Sequence, residues 1–219
     1  MRVGVPKEEE DRVAAFYDQV AVLYDVLFPS VHRYADRVKA FLGRVVTDRT
    51  RVLDVGCGGG QLTRHLPPSV EVVGLDVSER MLQTARAGRP GGRFLRHSYA
   101  APVPADLGTF EVAVAAGCLD FCQDLGAALS NISAALRPGG RLLFSVLERR
   151  ADLPGHGRPR LVLEDAEPQV TLCFWSREET EEALQRAGLV IIETVHAPAF
   201  DIEAEGLQLS YRWWEVARG

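Results

Sequence analysis

Apolar residues recur at helical spacing near the start of the chain. The first apolar stripe consists of Val13, Phe16, Val20, Leu23 and Leu27. Positions three and four residues apart share one face of a helix, so the pattern predicts a helix over 11–28 that Pro29 ends. A second stripe predicts a helix that starts near Val31 and is closed by Gly43. We interpret residues 1–43 as an N-terminal helical cap.

The pattern changes at residue 51, where short apolar runs begin to alternate with helical stretches. Strands are predicted over 51–55, 70–75, 93–95, 110–115, 141–146 and 190–195, with a seventh over 207–218. Helices are predicted over 60–66, 78–87, 124–136 and 176–187. Such alternation is typical of βαβ units around a parallel sheet, so we expect an α/β core over 51–219 with a mostly parallel seven-stranded sheet flanked by helices. Residues 151–170 are rich in proline and glycine and predict a lid-like excursion over one edge of that sheet.

Composition narrows the class of protein. A chain of 219 residues fits one domain, and no stretch approaches the roughly 20 apolar residues that span a bilayer. The first twelve residues turn acidic without an apolar segment, so we expect a cytoplasmic protein. We expect the protein to be a monomer or a homodimer. Arginines are dispersed and the net charge is −5, which argues against a nucleic-acid partner. Cys118 and Cys122 have no nearby histidine pair, so no metal site is expected.

The segment "RVLDVGCGGGQ", residues 51–61, places a glycine-rich turn directly after the first predicted strand. A turn of this kind between a strand and a helix lets a ligand approach the bare backbone. A nicotinamide dinucleotide is one candidate, but its G-x-G-x-x-G fingerprint requires glycine or alanine where this chain has Gln61.

The same residues spell Asp54-x-Gly56-x-Gly58-x-Gly60. This pattern resembles the first motif of the class I S-adenosylmethionine-dependent methyltransferases of small-molecule type, which have a Rossmann-like fold. The resemblance extends from about residue 14 to the end of the chain. It implies S-adenosylmethionine as cofactor. The turn residues Gly56, Cys57, Gly58 and Gly60 would wrap its methionine end, with the backbone at the first glycines contacting the amino group and Asp54 helping to hold it.

Asp76 ends the second predicted strand, twenty-two residues after Asp54. A carboxylate at a strand end can accept two hydrogen bonds from a ribose diol, which suits an adenosine cofactor or a nicotinamide dinucleotide. The resemblance implies that Asp76 takes the ribose hydroxyls, that Val77 lies against adenine and that Met81 walls the adenine pocket. Where the family commonly has G-D-A after its third strand, this chain has His97-Ser98-Tyr99, so Ser98 and Tyr99 are the candidates for adenine contact.

The methyl acceptor is expected between the helical cap and the loop "AAGCLDFCQD", residues 115–124. Asp120 in this loop is a candidate base or substrate anchor, or else a turn carboxylate on a solvated loop. His32 in the cap is the second candidate catalytic residue, although a lone histidine on an amphipathic helix is more often surface or packing. Gly117 is expected to contact the cofactor.

Tyr17 and Tyr24 lie seven residues apart, on one face of the first predicted helix. They are core residues, or they turn aromatic rings toward the positive sulfonium.

The predicted activity is methyl transfer by in-line displacement to an oxygen, nitrogen or carbon atom of a small molecule. Two alternatives stay open. One is a protein of the same fold that binds S-adenosylmethionine without transferring its methyl group, and the other is a nicotinamide-dependent oxidoreductase. A nucleic-acid methyltransferase is disfavoured because the chain has no N/D-P-P-Y/F/W stretch for a flipped base.

Overall fold

The structure is a computed structural model that describes residues 7–31, 34–149, 160–163, 166–202 and 206–219. Its helices are α1 (Lys7–Val31), α2 (Ala35–Val45), α3 (Glu79–Gly88), α4 (Leu125–Ala135) and α5 (Arg177–Arg186). Its strands are β1 (Arg51–Val55), β2 (Glu71–Asp76), β3 (Arg93–Arg96), β4 (Phe110–Ala115), β5 (Leu136–Glu148), β6 (Arg160–Leu163), β7 (Val170–Trp175), β8 (Leu189–Ile202) and β9 (Leu207–Arg218). No described helix is both long and apolar enough to cross a membrane.

The strands form one mixed sheet. Its order is β3-β2-β1-β4-β5-β7-β6, and the first five of these strands run parallel. β9 pairs antiparallel with β5, and β8 pairs antiparallel with β9. The predicted α/β class, with a mostly parallel sheet flanked by helices, is confirmed. The described strands number nine because β6 and β7 add to the predicted seven.

Helices cover both faces of the sheet because successive strand residues point to opposite sides. Val52 of β1 packs with α2 and α3 on one face, and Leu53 packs with α4 and α5 on the other. Trp213 and Trp214 divide between the same two clusters, as the alternation of β9 predicts. Both indoles are buried.

Several predicted boundaries are wrong. α1 runs through Pro29 to Val31 instead of ending before the proline. Residues 60–66, predicted as a helix, form successive turns, because the left-handed Gly60 opens the segment and Pro67 follows it.

The predicted excursion contains regular structure in its second half. β6 and β7 form an antiparallel pair, and β7 also pairs in parallel with the last two residues of β5. Residues 151–159, including His156, lie outside the described part of the chain, and so does His32.

Candidate functional site

The glycine turn, residues 56–60, follows β1 at the edge of the sheet where the parallel strands have their carboxyl ends. Gly56, Gly58 and Gly60 all have positive φ angles, of 63°, 52° and 77°. A Cβ atom on Gly56 would lie 2.1 Å from the Cβ atom of Cys118. Glycine at this position therefore lets the turn approach the loop after β4 closely.

Asp76 connects the end of β2 to this turn. One carboxylate oxygen accepts the backbone N–H of Gly58 at 2.8 Å, and the other accepts that of Ser78 at 2.9 Å. Burial raises the pKa of Asp76, while these backbone hydrogen bonds act in the opposite direction. Each carboxylate oxygen has more than one acceptor site, so each can accept a further hydrogen bond from a ligand.

α1 crosses above the turn and is tied to α3. The carboxylate of Asp18 accepts the hydroxyl of Ser78 at 2.5 Å and the backbone N–H of Arg80 at 3.1 Å. Ser78 is also the N-cap of α3, since its hydroxyl accepts the backbone N–H of Met81 at 3.1 Å. The first helix of the chain is thereby held over the sheet edge where Asp76 lies.

Aromatic side chains from α1 meet the loop after β4. The Tyr17 ring lies edge-to-face with Tyr24 and with Phe121, each with ring centroids 5.8 Å apart. Such a cluster presents electron-rich ring faces, to which a cation is attracted.

These elements enclose a cavity of about 910 Å³, including its mouth. The predicted site residues that line it are Tyr17, Tyr24, Gly56, Cys57, Gly58, Asp76, Val77, Met81, Ser98, Tyr99 and Gly117. The residues that line it without having been predicted are Glu9, Glu10, Val13, Tyr34, Gln61, Leu62, His97, Ala116, Cys118 and Phe121.

Asp54 and Gly60 were predicted at the site but do not line the cavity. The Asp54 carboxylate is buried behind the turn and accepts the Thr63 hydroxyl at 2.7 Å. Burial raises its pKa to about 7. A Cβ atom on Gly60 would lie 3.5 Å from the side chain of Ala85, so Gly60 brings the turn against α3.

Asp120 is buried, and the expectation of a turn carboxylate on a solvated loop is wrong. It lies in a short 3-10 turn, Leu119–Phe121, and is 3% exposed. Its carboxylate accepts the hydroxyl of Tyr211 from β9 at 2.6 Å. Burial raises the pKa of Asp120 to about 8, against the lowering effect of that hydrogen bond. Asp120 itself is not among the residues that line the cavity.

Tyr34 is the most informative residue that the sequence analysis missed as a site residue. It lines the cavity beside Gly117, where a Cβ atom would come within 2.5 Å of the Tyr34 hydroxyl oxygen. Its ring also contacts Tyr211 edge-to-face at 5.8 Å between centroids. The available signal was a tyrosine at the start of a cap helix, which we assigned to the apolar stripe.

The residues fit an adenosine cofactor that carries an amino acid. Asp76 offers acceptors for a diol, and Val77 and Met81 offer apolar surface for a flat base. The bare backbone at Gly58 and the rings of Tyr17 and Tyr24 face the same cavity. Among the residues described, no group of three or more potential metal ligands lies together.

Comparisons with known proteins identify the family. A model of the methyltransferase domain matches residues 28–194. The chain is 30% identical over 200 residues to the malonyl-[acyl-carrier protein] O-methyltransferase of Enterobacter lignolyticus (strain SCF1), covering 90% of this chain and 77% of that protein. It is 34% identical over 142 residues to the trans-aconitate 2-methyltransferase of Variovorax paradoxus (strain S110), covering 61% of this chain and 54% of that protein. The chain thus spans about half the length of several curated relatives that it matches.

A solved structure supports the fold. The 1,6-didemethyltoxoflavin-N1-methyltransferase of Burkholderia thailandensis superposes with a TM-score of 0.70 at 19% identity, covering all of this chain and 92% of that one. That protein was solved with 1,6-didemethyltoxoflavin and S-adenosylhomocysteine bound. With the matching domain model and a relative aligned over most of the chain, the protein belongs to the methyltransferase domain family, as a class I S-adenosylmethionine-dependent methyltransferase.

Proposed function

We propose that this protein moves a methyl group from S-adenosylmethionine to an oxygen atom of a small-molecule acceptor. The observation that carries the proposal is the cavity that Asp76, the glycine turn and the α1 tyrosines enclose at the carboxyl ends of β1, β2 and β4. The choice of oxygen rests on two relatives, which are named malonyl-[acyl-carrier protein] O-methyltransferase and ubiquinone biosynthesis O-methyltransferase.

In this proposal the two ends of the cofactor are held by different elements. Asp76 accepts the ribose hydroxyls, while Val77, Met81, Ser98 and Tyr99 surround the base. The backbone at Gly56, Cys57, Gly58 and Gly117 faces the methionine part. Asp54 and Gly60 support the turn from behind, since Asp54 is bonded to Thr63 and Gly60 packs on Ala85.

The bound cofactor supplies a methyl group on a positively charged sulfur atom. The contribution of the chain is to hold the acceptor in line with that methyl group and to exclude water, which accounts for most of the rate gain in such a displacement. Tyr17 and Tyr24 face the cavity from α1 and stabilise the positive charge by about 0.5–2 kcal/mol if a ring face meets it.

Proton removal from the acceptor was predicted for Asp120 or His32. His32 lies outside the described residues, so it stays a candidate catalytic residue on the sequence alone. A positioned base contributes about 10²-fold or more when the acceptor is a hydroxyl. Because Asp120 does not line the cavity, a direct contact with the acceptor would require this loop to move.

The experiment is a transfer assay with purified protein and three oxygen acceptors: malonyl-acyl carrier protein, trans-aconitate and a catechol. We expect S-adenosylhomocysteine to form only when an acceptor is present, together with a methylated product seen by mass spectrometry. The Asp76→Ala variant should lose this activity, whereas Asp106→Ala, on an exposed turn, should retain it.

Other outcomes of the assay distinguish the alternatives. Tight binding of S-adenosylmethionine without product from any of these three acceptors would favour a protein that binds the cofactor without transfer. Binding of a nicotinamide dinucleotide instead would contradict the proposal altogether.

The proposal also covers domain layout, oligomeric state, location and partners. We propose a single domain in which residues 1–43 form a cap on the core, residues 51–219. The protein is a monomer or homodimer that acts in the cytoplasm on small molecules and not on nucleic acids. Sedimentation of the purified protein, alone and with duplex DNA or transfer RNA, tests the oligomeric state and the absence of a nucleic-acid partner.

A further inference from the structure

Asp120 combines deep burial with an unused acceptor. One carboxylate oxygen accepts the Tyr211 hydroxyl, and the other has no hydrogen-bond partner among the described residues. A buried oxygen without a partner costs free energy, so most such atoms in proteins are satisfied by a neighbour or a ligand.

Asp120 also has no basic partner in the described parts of the chain. The ion pairs found there involve other carboxylates, such as Glu215 with Arg44 and Glu148 with Arg212. Buried carboxylates are normally paired with a cation, because an isolated charge is strongly disfavoured in the protein interior. A positively charged ligand nearby would supply the missing countercharge.

The carboxylate lies directly behind the cavity wall. Phe121, the next residue, lines the cavity and contacts the Tyr17 ring. On the other side, Tyr211 donates its hydroxyl to Asp120 and packs against Tyr34, which also lines the cavity. A layer of side chains therefore lies between Asp120 and the ligand space, with Phe121 on one side and Tyr211 and Tyr34 on the other.

The charge of Asp120 reaches that layer. Burial is the main cause that raises the pKa values of Tyr17, Tyr24 and Tyr34, and the negative charge of Asp120 raises each of them further. Charges interact over such distances because little water lies between them to screen the field.

We propose that Asp120 is the countercharge for the sulfonium, so that the protein binds positively charged S-adenosylmethionine more tightly than neutral S-adenosylhomocysteine. The inference rests on the proposed cofactor site. Asp120 acts through its field across Tyr17, Phe121 and Tyr34 and does not touch the ligand. It is therefore an electrostatic positioning residue.

The same arrangement balances charge during transfer. The bond between sulfur and the methyl carbon breaks with its electron pair left on sulfur, a bond from the acceptor oxygen to that carbon forms, and the acceptor loses one proton. The Asp120 carboxylate then has no countercharge, so burial favours uptake of one proton by Asp120. The site thus begins with one positive and one negative charge and ends neutral.

The test compares the affinities of the two ligands by calorimetry from about pH 6 to about pH 8.5, an interval around the Asp120 pKa of about 8. The sulfonium charge lowers the pKa of the amino group of S-adenosylmethionine below that of S-adenosylhomocysteine. The contribution of Asp120 is therefore the part of the pH dependence that the Asp120→Asn variant removes. In the wild type we expect S-adenosylmethionine to bind roughly tenfold more tightly than S-adenosylhomocysteine at the upper pH, and with a smaller preference at the lower pH. Tenfold is the scale for two charges about 12 Å apart at an effective dielectric constant of about 20.

Asp120→Asn should abolish this preference and its pH dependence. Asp124→Asn, four residues later, is the matched control: Asp124 is exposed and caps α4, and asparagine caps helices equally well. The other titratable groups that interact with Asp120 are Tyr17, Tyr24, Tyr34, Tyr99, Tyr211 and Cys118, and burial raises the pKa of each.

Two further carboxyl groups near the cavity, Asp54 and Asp76, also have raised pKa values. Both carboxyl groups are unchanged in Asp120→Asn, so a pH dependence that they cause would persist in that variant. A preference retained in Asp120→Asn would overturn the proposal, and so would a wild type that binds both ligands equally. A wild type that binds neither ligand would overturn the cofactor site as well.

A measurement on the wild type alone covers the case in which Asp120→Asn does not fold. Calorimetry at about pH 7 in buffers of different ionisation enthalpy should show more proton release on binding S-adenosylmethionine than on binding S-adenosylhomocysteine, since the sulfonium favours the ionised carboxyl. Equal proton release for the two ligands would contradict the role of Asp120.

Discussion

The carboxylate of Asp76 accepts the backbone N–H of Gly58 at 2.8 Å, which joins the end of β2 to the glycine turn after β1. Two sequence features that are eighteen residues apart are therefore parts of one structure. The acid that is available for a ribose diol also fixes the turn against which the rest of the ligand would lie.

Replacing Asp76 with alanine should weaken binding of S-adenosylhomocysteine by about 1–3 kcal/mol, the scale for losing hydrogen bonds to a charged group. Isothermal calorimetry measures this change. The affinity of Asp76→Asn should lie between those of the wild type and Asp76→Ala, because the amide oxygen still accepts hydrogen bonds but the amide nitrogen does not. Unchanged affinity in Asp76→Ala would exclude the ribose role.

Gly58→Val should reduce ligand binding more than stability. Gly58 has a φ of +52°, and its Cβ atom would project toward Tyr24 at 3.8 Å, within the cavity wall. The left-handed backbone should cost about 1–2 kcal/mol of unfolding free energy. Gly139→Val is the matched control, since Gly139 has a φ of +74° with no atom within 4 Å of its Cβ position. We expect a similar stability loss there with normal binding, and normal binding in Gly58→Val would contradict our model of the turn.

Asp54 should make stability depend on pH. Burial raises its pKa to about 7 in the folded protein, above the value of about 3.9 for an unfolded chain. The folded state therefore holds a proton that the unfolded state releases, so this contribution lowers the unfolding free energy as pH rises from about 4 to about 7. The slope is at most ~1.4 kcal/mol per pH unit.

Urea unfolding at several pH values measures this dependence. Asp54→Asn should flatten the curve over that interval, whereas Asp106→Asn, at a largely exposed position, should leave it unchanged. A curve for Asp54→Asn that parallels the wild type would show that Asp54 is ionised in the folded state.

Ser176→Ala should destabilise α5 without affecting the cofactor. The Ser176 hydroxyl accepts the backbone N–H of Glu179, and the Glu179 carboxylate accepts that of Ser176, which together form a capping box. Loss of the cap should lower the unfolding free energy by about 1 kcal/mol, as seen for other N-caps. Thermal unfolding measures the loss, and Ser176→Asp should restore most of it. A change in ligand affinity would be unexpected, because α5 contributes no residue to the cavity lining among those described.

Local sequence signals predicted the parts of the fold in which pattern and structure coincide. β1, β4 and the capped start of α5 lie where periodicity and capping residues placed them. β7 was missed because its residues, "VTLCFW", directly follow a segment rich in proline and glycine. Its position depends on pairing with β5, which no local pattern reveals.

The site was predictable where its residues follow strand ends. Gly58 and Asp76 were found from spacing, and the structure brings both to one cavity. The burial of Asp120 could not be found this way, because its partner Tyr211 lies 91 residues later in the chain. Tyr34 was likewise indistinguishable from a core residue, since only the tertiary fold places it against Gly117.

The position of β9 has a consequence for biosynthesis. β9 lies between β5 and β8, so the polypeptide synthesised after residue 206 enters the interior of the sheet and not its margin. While a ribosome still holds that stretch, β8 has no strand to pair with and the hydroxyl of Tyr211 cannot reach Asp120. A nascent chain would therefore pair β8 and satisfy the buried carboxylate of Asp120 only after β9 has been translated.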